Sequence, residues 1–277
     1  MQDCIYIGGY DNWVEQNAAH YVYRKTVHDL GHGQKEVLIQ RVDVRPDERG
    51  LKPYTALSQA EKDAQNEDRA ARRAKATIRR RVKAMHLNSL LTLTYRENMQ
   101  DEETIKAHLK EFVRRLRRVI PGFCYVVGYE RQQRGAYHAH MAVHAIQSHF
   151  MQGGVRVKSF DLIRAVWRSV VGSLGGNIDL QKKRRNSRKT VAQLAAYISK
   201  YMTKAFAEGE KYSKRWAASR FSMPESETAY YRNVNIKNLI ADAVAQFAPS
   251  GTQIRCTFVD DGRGFFFTVE PNAPSPG

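Results

Sequence analysis

Cysteine is scarce in this chain: Cys4, Cys124 and Cys256 lie far apart and are odd in number. That argues against a disulfide framework or a zinc knuckle and fits a reducing cytoplasm, where we expect the protein to work. No apolar run approaches the roughly 18 residues a membrane helix needs, so no membrane partner is expected. The opening Met1-Gln2-Asp3-Cys4 lacks the basic and then apolar pattern of a signal peptide. Internal repeats and a Gly-rich phosphate loop are missing as well. Acidic residues are in deficit, with 28 Asp and Glu against 45 Lys and Arg, leaving a net charge of +17. A surplus this large attracts polyanions, with nucleic acid the leading partner and an anionic membrane surface the rival. Hydrophobic residues still form 42% of the 277, enough for a core.

What is present divides into periodic segments. Tyr21-Val22-Tyr23 and Val37-Leu38-Ile39, around Gly31-His32-Gly33, predict a hairpin or small sheet. Pro46 to Pro53 reads as a turn region. From Ser58 to about Met85 the composition favours helix, with Ser58 and Glu61 set as a capping box. Its acids come early and its bases late, which suits the helix dipole. Arg72, Arg73, Arg79, Arg80 and Arg81 make its later half a positive rod suited to phosphate contact.

Asn88 to Tyr95 predicts a core strand, and Asp101 to Ile120 a helix with an apolar stripe of Ile105, Leu109, Phe112, Val113 and Leu116. Phe123 to Glu130 and Ala136 to Ala145 predict an antiparallel hairpin turning at Gln132 to Gly135. A helix from Ser159 or Asp161 to about Ser173, a short strand at Asn177 to Gln181, and a helix from Thr190 to about Ala207 follow. Between the last two, Lys182, Lys183, Arg184 and Arg185 open a basic loop. The element order βαββαβα suits an α+β fold, a central antiparallel sheet with helices packed against it, as in ferredoxin-like and RNA-recognition folds. Lys214, Arg215, Trp216 and Arg220 mix cations with an aromatic. That pattern can stack bases and hold phosphates, or equally form a loop with a packed Trp. Asn235 to Phe247 predicts a helix, Thr252 to Val259 and Phe265 to Val269 a strand pair, and the tail from Pro271 a disordered end.

Two constellations carry chemistry. In Arg134-Gly135-Ala136-Tyr137-His138-Ala139-His140, strand alternation puts His138 and His140 on one face. His144 shares that parity. Two imidazoles on a rigid strand are half of a divalent-metal site, and Glu130 on the neighbouring strand, or Gln132, could add oxygen. The second constellation is Tyr197-Ile198-Ser199-Lys200-Tyr201-Met202-Thr203-Lys204. Tyr197 and Tyr201 stand one helical turn apart, with Lys200 and Lys204 beside them. A phenol ionises near about pH 10, and a nearby ammonium and a metal-polarised phosphate would both help it attack.

His138-Ala139-His140 resembles the His-hydrophobic-His motif of the HUH endonucleases. Tyr197 to Lys204 resembles their two-tyrosine helix, and Leu91-Thr92-Leu93-Thr94-Tyr95 their first motif. Order and spacing are similar to those of rolling-circle replication initiators, most of all the replication proteins of filamentous and other single-stranded DNA phages. Arg134 to His140 matches the Arg-Gly-x-x-His-x-His segment of these phage proteins. Lys214-Arg215-Trp216 with Ser219-Arg220 resembles their basic segment after the tyrosine helix. The resemblance covers about Ser89 to Phe221.

The resemblance implies an origin nickase. Tyr197 and Tyr201 would be nucleophiles that join to a 5′ phosphate, His138, His140 and Glu130 (or Gln132) would hold Mg2+ or Mn2+, and Lys200 and Lys204 would assist at the phosphate. His144 lies outside the motif. Single-stranded or supercoiled origin DNA would be the substrate, with a host helicase and replicative polymerase as partners. The expected organisation is a β-rich extension over 1–57, a basic helix over 58–86, an endonuclease core over 87–222, and a helix-hairpin extension with its tail over 223–277. The competing readings are a transposase or relaxase of the same superfamily, and a non-catalytic single-stranded nucleic-acid binder. Paired histidines and paired tyrosines separate the enzymes from the binder.

Overall fold

The computed structural model describes residues 21–43, 58–181, 190–208, 215–259 and 264–272. In chain order, β1 (Tyr21–Asp29) and β2 (Lys35–Asp43) form a hairpin, followed by α1 (Gln59–Ala84) and β3 (Ser89–Tyr95). Next come α2 (Glu102–Val119), β4 (Tyr125–Arg131), β5 (Tyr137–Val143), a ribbon of β6 (His149–Gln152) and β7 (Val155–Lys158), and α3 (Ser159–Val171). Then β8 (Gly176–Gln181), α4 (Val191–Glu208), β9 (Trp216–Ala218), β10 (Ser226–Tyr231), α5 (Ile236–Phe247), β11 (Thr252–Val259) and β12 (Gly264–Pro271) complete the described elements. No helix among the described residues is long and apolar enough to cross a membrane.

The chain divides into two units. Gln59–Ser222 forms one, and the segments on either side of it supply the other. In the second unit, β10, β1, β2, β12 and β11 lie in that order in one antiparallel sheet. Leu239 and Ala243 of α5 cover Val27, Val37, Ile39, Phe265, Phe267 and Val269. Asn235 caps α5, its side-chain oxygen accepting from the Lys237 N–H at 2.8 Å. Strands read from the two flanking segments therefore share one sheet.

In the larger unit the strand order is β8-β3-β5-β4-β9, antiparallel throughout. Strand β5 lies between β3 and β4, so the β3-α2-β4 crossover spans it, which is the split βαβ arrangement of ferredoxin-like folds. Helices cover both faces. On one, Ile105, Leu109, Phe112, Val113 and Leu116 of α2 and Ile163, Trp167 and Val171 of α3 pack on Leu91, Leu93, Val127, Ala139, Met141 and Ile178. Each of the larger aliphatic side chains contributes about 1.5–3 kcal/mol by leaving water. On the other, Ile78 and Val82 of α1 and Ala195 and Ile198 of α4 pack on Leu90, Val126 and Ala142. Alternation along the strands thus feeds two cores, which is why β3 is buried along nearly its whole length.

Local chemistry sets the ends. The Asp101 carboxylate caps α2 by accepting from the N–H groups of Glu103 and Thr104 at 3.3 and 3.0 Å. Thr190 and Gln193 form a reciprocal capping box on α4: the Thr190 hydroxyl accepts from the Gln193 N–H at 3.2 Å, and the Gln193 carbonyl accepts from the Thr190 N–H at 2.8 Å. Gly176 starts β8 where a side chain has no room. An added Cβ would sit 2.5 Å from Trp167 Nε1 and 2.9 Å from the Thr94 carbonyl oxygen, which accepts from that same indole.

The short pieces differ from the sequence expectation. The ribbon β6–β7, the edge strand β9 and strand β10 were not anticipated, because three to six residues give too little alternation to read. Strand β5 ends at Val143 rather than Ala145, leaving His144 exposed beyond it. Pro271, expected in the tail, closes β12. The turn at Pro46 to Pro53 and the basic loop at 182–189 lie outside the described residues.

Candidate active site

The site residues converge on one face of the central strand. His138 lies opposite Glu130 and His140 opposite Gly128 on β4, while Thr92 of β3 lies opposite His140. Directly paired residues of antiparallel strands project to the same face. So Thr92, Glu130, His138 and His140 share the face whose inner end, at Leu90, Val126 and Ala142, is covered by α1 and α4. The two imidazole centroids are 6.3 Å apart, with their planes at 58°.

His140 is almost wholly buried, 7% exposed, and both its ring nitrogens have partners. Nε2 lies 2.8 Å from Glu130 Oε2 and Nδ1 lies 3.2 Å from Thr92 Oγ1. An ionised carboxylate can only accept, so Nε2 carries the proton and donates it. In the neutral ring Nδ1 then accepts from the Thr92 hydroxyl. A relay Thr92–His140–Glu130 therefore crosses three adjacent strands. His138 Nδ1 lies 3.2 Å from the Gln132 amide nitrogen, so Gln132 holds His138 while Glu130 holds His140.

Burial pushes both imidazoles below their ordinary pKa. For His138 the neighbouring His140 and Arg134 add to that and Glu130 opposes it. For His140 the hydrogen bond and charge of Glu130 oppose burial. Both rings are thus neutral near pH 7, the form that ligates a metal. Among the described residues no three His, Cys, Asp or Glu side chains stand as a ready-made metal cage, since Glu130 and His140 close on each other.

Helix α4 brings Tyr197 to the same side of the sheet. Ala192, Ala195, Ile198 and Ser199 are buried in its packing stripe, whereas Tyr197 is 41% exposed. The side chains of Lys200, Tyr201 and Lys204 lie outside the described residues, although the helix backbone continues to Glu208. Helical periodicity puts position 201 one turn beyond position 197.

The basic residues are distributed unevenly. Arg72 and Arg73 are exposed on α1, Arg72 with Asp68 at 2.8 Å. Arg79, Arg80 and Arg81 are partly buried towards the core end of the helix. Arg215 is buried, with Nη2 3.8 Å from Glu67, and Trp216 is half-buried against the Leu90 and Val126 cluster, with the Arg81 guanidinium 6.0 Å from its ring centre. Both therefore pack inside this unit, while Arg220 is exposed. Lys182, Lys183, Arg184, Arg185 and Lys214 lie outside the described residues.

Thr92 is the site residue that the sequence reading passed over. Its signal was present: it is a polar residue on a strand otherwise buried and apolar. Only the register of β3 against β5 reveals what it touches.

None of the curated proteins matches the chain, and neither does any solved structure. A family model does match, from residue 88 to residue 206, and it describes the replication-associated protein ORF2. The matched segment starts just before β3 and ends within α4, so it holds Thr92, Glu130, His138, His140 and both tyrosines. Through residues 88–206 the chain belongs to this family of replication-associated proteins.

Proposed function

We propose that the protein initiates rolling-circle replication by nicking one strand of origin DNA through a tyrosine. The observation that carries this reading is a neutral, buried histidine pair with a carboxylate on the next strand, on the sheet face packed by the tyrosine helix. His138, His140 and Glu130 form a two-imidazole, one-carboxylate donor set. The Glu130 and His140 donor atoms are 2.8 Å apart, close to the separation of about 3.0 Å for neighbouring ligands of an octahedral ion with bonds near 2.1 Å. The residues therefore fit Mg2+ or Mn2+. A cation bound there would polarise the scissile phosphate and offset its developing charge.

The chain's own residues supply the rest. Thr92 can donate to His140 Nδ1 or accept from it, so it holds the ring in either tautomer. Tyr197 or Tyr201 attacks phosphorus: the Oη–P bond forms, the P–O3′ bond breaks, the phenol proton passes to solvent, and the 3′ oxygen leaves as a hydroxyl after taking a proton. Lys200 and Lys204 favour the phenolate and the phosphate charge. The second tyrosine can then attack the regenerated site and release a closed circle. A host helicase and polymerase would unwind and copy.

The test is incubation of the protein with labelled single-stranded origin DNA and Mn2+, followed by denaturing electrophoresis. A slow-migrating adduct that disappears on chelation and in a Tyr197→Phe, Tyr201→Phe double variant is expected. Binding without any adduct would replace this reading with the non-catalytic one, and an adduct surviving in the double variant would overturn the tyrosine assignment.

A further inference from the structure

The ribbon β6–β7 stands outside both five-stranded sheets and plays no part in the reaction above. It turns on Gly153 and Gly154, with φ of 54° and 79°. Two successive left-handed residues make the tight primed turn that keeps a two-residue hairpin compact. At its base the Ser159 N–H donates to the Ser148 carbonyl at 2.9 Å, and the Ser159 hydroxyl donates to the Gln147 carbonyl.

Its two faces differ. His149 pairs with Lys158 and Met151 with Arg156, so these four side chains share one face. Phe150 and Val157 pair on the other and are half-buried, Phe150 lining a groove with Phe123 and Ile146. On the first face Met151 is 68% exposed, and Val155 beside the turn is 63% exposed, the two most exposed large hydrophobic residues among those described. Arg156 and Lys158 flank Met151 with positive charge, Arg156 Nη2 lying 3.3 Å from His149 Nδ1. From Arg131 to Phe160 the sequence contains no Asp or Glu.

We infer that this ribbon is a contact surface for double-stranded DNA, with Arg156 and Lys158 on phosphates and Met151 against the groove. A two-stranded ribbon fits the major groove, phosphate neutralisation accounts for an acid-free stretch, and an apolar tip has base and sugar surface to meet there. The inference takes its DNA partner from the proposed function but does not need the nick.

The test is binding of a fluorescent duplex, without added metal, across a salt series. Arg156→Ala with Lys158→Ala weakens duplex binding at least about tenfold and lowers the slope of log K against log salt by about two. Met151→Ala weakens binding with the slope unchanged. Lys110→Ala with Arg118→Ala, exposed on α2, serves as a charge-matched control and stays near the parent. Unchanged duplex affinity in the ribbon variant, an equal loss in the control, or a loss confined to single-stranded DNA would each overturn the inference. An absent covalent adduct would count against the nickase and leave this measurement intact.

Discussion

The His140 imidazole donates from Nε2 to Glu130 Oε2 at 2.8 Å, a contact between adjacent strands made with the carboxylate mostly out of water. Behind the ring, Thr92 sets the orientation from the far side. Replacing Thr92 with Val keeps the shape and removes the hydroxyl. Loss of such a supporting hydrogen bond costs a metal ligand roughly 10- to 100-fold in affinity or activity. Mn2+ titrated calorimetrically against Thr92→Val should show that loss, with Thr92→Ser retaining most of the affinity. Equal affinity in all three proteins would remove Thr92 from the site.

Glu130→Gln tests the carboxylate. The carboxylate opposes the depression of the His140 pKa, so its removal should lower that pKa further. Proton NMR titration of the ring reads the shift directly, independent of turnover. In the nicking assay the same variant should need far more Mn2+ than the parent. A His140 titration unmoved by the change would mean that the 2.8 Å contact is not made in solution.

Acid should weaken the fold before it reaches the carboxylate range. His108, His138 and His140 all have folded pKa values held below 6.5 by burial. The unfolded chain therefore binds more protons than the folded one once pH drops through about 6.5, and stability falls with it until the folded values are passed. Melting temperature measured from pH 8 downward should decline through this window. A His138→Asn, His140→Asn variant should decline less, leaving the His108 share. A flat profile in the parent would contradict the burial of these rings.

Gly176→Ala should destabilise the core unit by about 1–3 kcal/mol, the usual cost of overpacking. Its Cβ would meet Trp167 Nε1 at 2.5 Å and the Thr94 carbonyl at 2.9 Å, both fixed by their mutual hydrogen bond. Urea denaturation followed by Trp fluorescence measures this. A Gly175→Ala change meets the side chain of Arg96 rather than backbone, but carries a φ of 57° that strains any side chain.

Much of the fold could be read from periodicity and end signals. The stripe from Ile105 to Leu116, the caps at Asp101, Thr190 and Asn235, and the apolar centre of β4 fall where local chemistry puts them. The common face of His138 and His140 follows from alternation alone. What local chemistry does not carry is register. That Glu130 faces His138 but reaches His140, and that Thr92 closes the relay, depends on strands distant in sequence. Lys214 to Arg220 misled for a related reason. Its cations read as a nucleic-acid loop, whereas Trp216–Ala218 is an edge strand beside β4, with Trp216 turned into the apolar layer.

The shared sheet of the flanking segments bears on the order of assembly during synthesis. Strands β1 and β2 leave the ribosome first, yet β10 and β12, their neighbours on either side, come only after the core unit. The hairpin must wait with both edges open, and such edges pair promiscuously. The core unit, complete by Ser222, can close in the meantime. Nascent chains halted before β12 should therefore hold a folded core beside an unfinished sheet, and the risk of aggregation lies in that interval.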